Sequence, residues 1–134
     1  MVGSPLSAAT KLVMSFLIAL TVASCGPSNK PEGEEVSRSA QPRGRAVAII
    51  TKIDGGVTVS MGYRVYIQGT DGILSEVLRM DRGDAPRLAW SANTLKISAM
   101  CGQIYAFKNF AVVDLVADPT KVSVLLENQG LCDE

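Results

Sequence analysis

Turn-forming residues punctuate this chain at intervals of about 8–12 residues from Val47 onward, and that spacing excludes most architectures. The breaks are Asp54-Gly55-Gly56, Gly69-Thr70-Asp71-Gly72, the loop Asp81 to Pro86, Ser91-Ala92-Asn93 and Asp118-Pro119. Between them lie short runs of strand formers. Val47–Ile53 is rich in β-branched residues, and a shorter run, Val57–Ser60, follows. Tyr63–Gln68 alternates, which puts Tyr63, Val65 and Ile67 on one face of a strand. Arg87–Trp90 and Thr94–Ser98 read as a hairpin, with Leu88 and Trp90 facing Leu95 and Ile97. Ile104–Phe107 and Phe110–Val116 are the next strands. Two segments are ambiguous. Ile73–Met80 has helical spacing at Leu74, Val77 and Leu78 but only the length of a strand, and a strand is expected. At Lys121–Glu127, Asp118 and Pro119 could start a helix that Gly130 ends. The alternation of Val122, Val124 and Leu126 instead favours a strand. The expected class is all-β and mainly antiparallel: a small β-sandwich or strongly curved sheet of about 6–8 short strands.

The chain ahead of this domain carries an address. An apolar run of 13 residues, Leu12–Ser24, follows Lys11 and ends at Cys25-Gly26. The run is short for a membrane span, which needs roughly 20 residues, and its order of parts is that of an export signal. Val22-Ala23-Ser24-Cys25 resembles the lipobox of bacterial lipoproteins. The resemblance implies removal of residues 1–24 and acyl chains on Cys25, the new N-terminus. It also implies a location at the cell membrane or outer membrane, facing the periplasm or the exterior. Acyl chains bind membranes through about 0.8 kcal/mol per buried CH₂, and more than one chain is needed for a firm anchor. An ordinary cleaved signal is the alternative. Residues 25–45 are rich in proline, glycine and serine, with Val36 the one aliphatic side chain. Such a segment is expected to be a disordered linker reaching about 25 Å. The folded domain is then expected to span 46–134.

Composition removes several classes of function. Once Lys11 leaves with the signal, 12 basic residues face 13 acidic ones. That balance leaves no basic footprint for nucleic acid. The chain has no histidine, which removes the commonest general base and the commonest neutral metal ligand. No metal and no other cofactor is expected. With Cys25 acylated, Cys101 and Cys132 remain, and outside the cytoplasm they are candidates for a disulfide. The bridge would close a loop of about 32 residues and contribute roughly 3–4 kcal/mol in the chain-entropy view. Two free buried thiols are the alternative.

Two further resemblances rest on short motifs. Pro86-Arg87-Leu88-Ala89-Trp90-Ser91, with Leu95-Lys96-Ile97 and Gly102-Gln103-Ile104-Tyr105, looks like a blade edge of propeller proteins related to TolB. The usual Pro-Asp-Gly turn is replaced here by Ala92-Asn93. A domain of this length makes about two blades, and a closed propeller needs four or more. Gly55-Gly56-Val57-Thr58, Tyr63–Ile67 and the set Trp90, Leu95, Ile97 are similar to small β-rich bacterial lipoproteins of unknown function. Asp54 stands where that group would carry a cysteine. Neither resemblance implies an activity.

Residues suited to catalysis are sparse. Ser98 and Lys96 share a strand face, which is ordinarily a solvated surface. Asp54, Asp71, Asp81, Asp84, Asp114 and Glu76 are the carboxylates available for paired acid–base work. Most sit in turns, where aspartate serves the backbone. Arg82-Gly83-Asp84 is an adhesive tripeptide composed of ordinary loop residues. Among the aromatics Trp90, Tyr63, Tyr66, Tyr105, Phe107 and Phe110, the first three are the candidates for a binding platform. A core role for them is the competing reading. The expectation is a non-enzymatic envelope lipoprotein that contacts a protein partner, with a small-ligand or glycan-binding module as the alternative.

Overall fold

The computed structural model describes residues 30–55 and 61–128. Cys25, Cys132 and the run Val57–Ser60 lie outside the described residues. The described chain is all-β, without a helix. Its strands are β1 (Glu34–Ala40), β2 (Val47–Ile53), β3 (Gly62–Gln68), β4 (Leu74–Asp81), β5 (Arg87–Ser91), β6 (Thr94–Ala99), β7 (Gln103–Phe107), β8 (Phe110–Val113) and β9 (Thr120–Asn128). They form two sheets. One has the order β1-β2-β3-β4-β7, the other β5-β6-β9-β8. All neighbours are antiparallel except β6 and β9, which run parallel. This is the architecture of a small β-sandwich.

The alternation in the sequence decides which faces meet. Ala48, Ile50, Val65, Ile67 and Met80 from the first sheet join Leu95, Ile97, Ala99, Val113, Val122 and Val124 from the second in one buried cluster. Leu88, Trp90 and Tyr63 pack against it. The β5–β6 hairpin has the expected register, with Leu88 opposite Ile97 and Trp90 opposite Leu95. Of the two readings of the last segment, the strand is found. β4 is also a strand, and a bulge accounts for its mixed pattern. Val65 pairs with Leu78 and Tyr66 with Glu76, so Val77 is an extra residue. Val77 and Leu78 are consequently both buried despite being adjacent.

Two expectations are corrected. The segment 25–45 was expected to be a disordered linker, yet Glu34–Ala40 forms β1, paired antiparallel with β2. An edge strand needs no apolar face of its own, because its main-chain hydrogen bonds to β2 supply the pairing. Its side chains stay largely in water, and charge pairs assist. Arg38 binds Glu35 at 2.8 Å. Just before the strand, Glu32 meets the largely buried Arg64 of β3. The strand also carries a bulge at Val36, a common way to blunt an exposed edge. The folded part therefore starts well before residue 46. The second correction concerns β8, which stops at Val113 rather than Val116. Asp114 turns into the left-handed region at φ 53, and Asp118 N–H closes the turn onto the Asp114 carbonyl at 3.1 Å. Leu115 and Val116 are left exposed.

The first correction has a direct test in amide hydrogen exchange. The β1 amides that bond to β2 are expected to exchange at least about tenfold slower than those of an unstructured chain. Exchange at the coil rate throughout 34–40 would restore the linker.

Candidate interaction surface at the β7–β8 flank

The sandwich has two flanks, where the edge strands of the two sheets come together, and they are built differently. On one flank β1 meets β5. Trp90 Nε1–H donates to the Ser39 carbonyl at 3.1 Å. Gln41 Nε2 donates to the Ala92 carbonyl and to Asn93 Oδ1 at 2.9 and 2.8 Å. Gln41 is itself buried, held by the Ala46 main chain. These bonds tie the β1–β2 turn to the β5–β6 turn.

On the other flank β7 ends the first sheet and β8 ends the second, and the chain passes from one to the other in two residues. Lys108 N–H still bonds to Val77 of β4 at 2.9 Å. The Asn109 carbonyl already accepts from Val124 of β9 at 2.8 Å. On β8, Phe110 and Val112 alternate with the buried Ala111 and Val113 and so face outward. Phe107 and Phe110, one on each side, remain 37% and 48% exposed, and Leu115 is 53% exposed. With Ser75, Lys108, Asn109 and Val112 they line a groove of about 720 Å³. The Lys121 ammonium sits 5.1 Å from the centre of the Phe110 ring, within cation–π range. β7 carries a bulge at Tyr105, and that side chain is exposed.

The far end of this flank is fixed by Asp114. Its side chain is buried. Oδ1 accepts from Thr70 Oγ1 at 2.7 Å and from Asp71 N–H at 3.1 Å. The β3–β4 turn is thereby fastened to the end of β8. Gly69 is required there, since a Cβ would lie 2.7 Å from Asp114 Oδ1 and 3.0 Å from its nitrogen. Arg45 lies 3.7 Å from Asp114 Oδ2 and binds Asp118 at 2.8 Å. The Thr70 hydroxyl holds the Asp114 carboxyl below the usual carboxylate range. Burial opposes this shift, while the Asp71 and Thr70 amides and the Arg45 charge add to it.

The residues singled out from the sequence fall elsewhere. Trp90 and Tyr63 pack on the interior. Tyr66 is buried on the outer face of the first sheet, opposite Ile49. The three do not converge, so no common aromatic platform forms. Among the described residues the exposed aromatics are Tyr105, Phe107 and Phe110, and only the position of β7 and β8 at the sheet edges brings Phe107 and Phe110 to one groove. Lys96 binds Glu127 at 2.9 Å rather than Ser98. Glu76 binds Arg79 at 2.9 Å. Tyr63 also lines a hollow of about 320 Å³, together with Asp81, Tyr105, Arg64 and Arg79. Arg82-Gly83-Asp84 is an exposed loop between β4 and β5. Among the described residues, no group of acidic, cysteine or histidine side chains is arranged to hold a metal ion. No family model matches the chain, and neither a curated protein nor a solved structure does.

Asp114 gives the fold a pH dependence of known sign. Its carboxyl titrates lower in the folded state than in the unfolded chain. The stabilisation is therefore complete above the unfolded value of 3.8 and is lost as pH falls through the folded value. Asp114→Asn is expected to melt lower than the parent at neutral pH and to lose less further stability on acidification. Thermal unfolding of both proteins between about pH 6 and pH 2.5 measures this. Parallel curves would show that Asp114 contributes nothing to the pH dependence.

Proposed function

We propose that this chain is an envelope lipoprotein, anchored through acyl chains on Cys25, whose β domain docks a protein partner on the β7–β8 flank. One observation carries the docking reading. Phe107, Phe110 and Leu115 are exposed beside β7 and β8, which have no further strand partner among the described residues, while on the opposite flank side-chain hydrogen bonds hold β1 and the turn after it to β5 and the turn after it. Apolar side chains beside a free strand edge suit a partner segment that adds a strand and fills the groove. Edges of this kind are usually blunted with charge. β8, Phe110-Ala111-Val112-Val113, has no charged residue. No chemical step is assigned to the chain, and the role is non-enzymatic. Cys25 supplies the location, and its signature in the sequence supports that half of the reading.

The test is crosslinking in cells with the tagged full-length chain, followed by mass spectrometry of the membrane fraction. The double substitution Phe107→Ser, Phe110→Ser removes side chains that are each about half exposed and should lower stability by roughly 1–3 kcal/mol, so a melting curve first shows that the variant is folded. The double substitution is expected to lower the yield of a discrete crosslinked partner at least about tenfold, equivalent to 1.4 kcal/mol of binding. Cys25→Ala should lose the partner by losing the membrane. An unchanged crosslink in the double variant would move the docking site elsewhere.

A Cys101–Cys132 bridge belongs to the same reading. Ala99 and Asn128 are partners in the parallel β6–β9 pair, so the two strands end side by side and run in the same direction. Cys101 lies shortly after the first and Cys132 shortly after the second. Paired strands are about 4.8 Å apart, which leaves ample chain for disulfide geometry. In the exported protein, neither thiol should react with a maleimide until a reductant is added. Labelling of both without reductant would exclude the bridge.

A further inference from the structure

We infer that the partner segment docked on the β7–β8 flank is an extended strand that adds to β8 and alternates apolar with acidic side chains. The inference rests on the docking reading above and goes beyond it by naming the chemistry of the occupant. The main chain of β8 gives the first part. Val124 N–H donates to the Asn109 carbonyl at 2.8 Å. Ala111 is in register with Val122, and Val113 with Thr120. Hydrogen-bonded pairs alternate along an antiparallel ladder. The bonded pairs are therefore those of Asn109, Ala111 and Val113, and the N–H and C=O of Phe110 and Val112 point away from β9. No strand lies on that side of β8 among the described residues. A strand added there, in either direction, completes these bonds, and its side chains form two alternating rows.

Each row meets a different surface. Phe107 is opposite the buried Leu78 and so belongs to the inner face of the first sheet. The inner row of an added strand turns to the side of Phe107, which suits apolar side chains. The outer row continues the face that carries Phe110 and Val112. Lys121 is opposite Val112 on β9, and its ammonium reaches across to lie 5.1 Å from the centre of the Phe110 ring. The charge thus sits over β8, one strand spacing, about 4.8 Å, from the added strand. Lys108 lines the same groove. Among the described residues, no carboxylate lies within ion-pair distance of either lysine. The neighbouring carboxylates are already held. Glu76, beside Ser75, binds Arg79. Asp114, beside Leu115, accepts from Thr70 and lies 3.7 Å from Arg45. An acidic occupant supplies the missing negative charge. A second copy of this chain does not, because β8 has no charged residue and pairing two β8 edges brings the lysines of both copies together. Like charges across such a contact are unfavourable.

The experiment uses the full chain, processed in cells, purified in detergent and immobilised. The probes are two peptides of about eight residues, one alternating valine with aspartate and its twin alternating valine with lysine. Surface plasmon resonance follows binding up to about 1 mM peptide. The aspartate peptide is expected to bind at least about tenfold tighter than the lysine peptide at low salt, and the ratio is expected to shrink in about 1 M salt. Lys121→Glu, at an exposed position, should cut the ratio to about threefold or less. Val112→Pro removes an outward N–H from an edge strand and, once a melting curve shows it folded, should weaken the aspartate peptide at least about threefold. An unchanged ratio in Lys121→Glu, or an unchanged affinity in Val112→Pro, overturns strand addition beside Lys121. Equal affinity of the two peptides, lost in the folded Phe107→Ser, Phe110→Ser variant, overturns the acidic occupant and leaves the docking surface standing. Affinity that survives in that variant places the peptides elsewhere and overturns the inference. Binding by neither peptide overturns it as well, and the cellular crosslink then decides the docking reading by itself. Self-association that the same double substitution abolishes would make a second copy the occupant, against the inference.

Discussion

Ala48, Ile50, Val65 and Ile67 on one sheet and Leu95, Ile97, Val122 and Val124 on the other share a single buried cluster, and every other feature follows from keeping these faces together. Burial of such side chains stabilises by about 1.5–3 kcal/mol each relative to exposure. The faces alone do not close the sandwich, because each sheet ends in two edge strands. One flank is closed by Trp90 and Gln41, which reach across to main-chain and side-chain oxygens. The far end is closed by Asp114. The β7–β8 flank is crossed by main chain alone, and its large apolar side chains remain outside.

That asymmetry links fold to function. Both flanks are made of edge strands, and on one of them part-buried side-chain hydrogen bonds hold β1 and β5 together. The other flank, whose edges have no further strand partner among the described residues, adds two exposed phenylalanines. The short crossing at Lys108 and Asn109 fixes Phe107 to one sheet and Phe110 to the other, so the groove is preformed by the same bonds that hold the sheets. Preformed grooves bind with less ordering cost than mobile loops.

Much of the architecture was legible in the sequence, and the parts that were not have identifiable causes. The β5–β6 hairpin was readable because Leu88, Trp90, Leu95 and Ile97 alternate against the core and a turn lies between them. β9 was readable from Val122 and Val124. β4 looked partly helical because a bulge buries Val77 and Leu78 together, and a bulge has no signature without its partner strand. β1 was hidden because an edge strand with its side chains in water has the composition of a linker. The end of β8 was hidden because Thr70 and Asp71, far away in sequence, capture Asp114. The candidate surface was missed for a related reason. Tyr66 is buried and Trp90 and Tyr63 are partly buried against the core, and no local pattern distinguishes them from Phe107 and Phe110. That distinction depends on where β7 and β8 lie at the sheet edges.

The most direct test of the docking surface is site-specific photo-crosslinking in cells. A photoreactive amino acid is placed at Leu115 on the groove, and in a second strain at Ala89, which is exposed on β5 near the opposite flank. The account predicts one discrete adduct from position 115 and none of that mass from position 89. An adduct of the same mass from position 89, with none from 115, would contradict it.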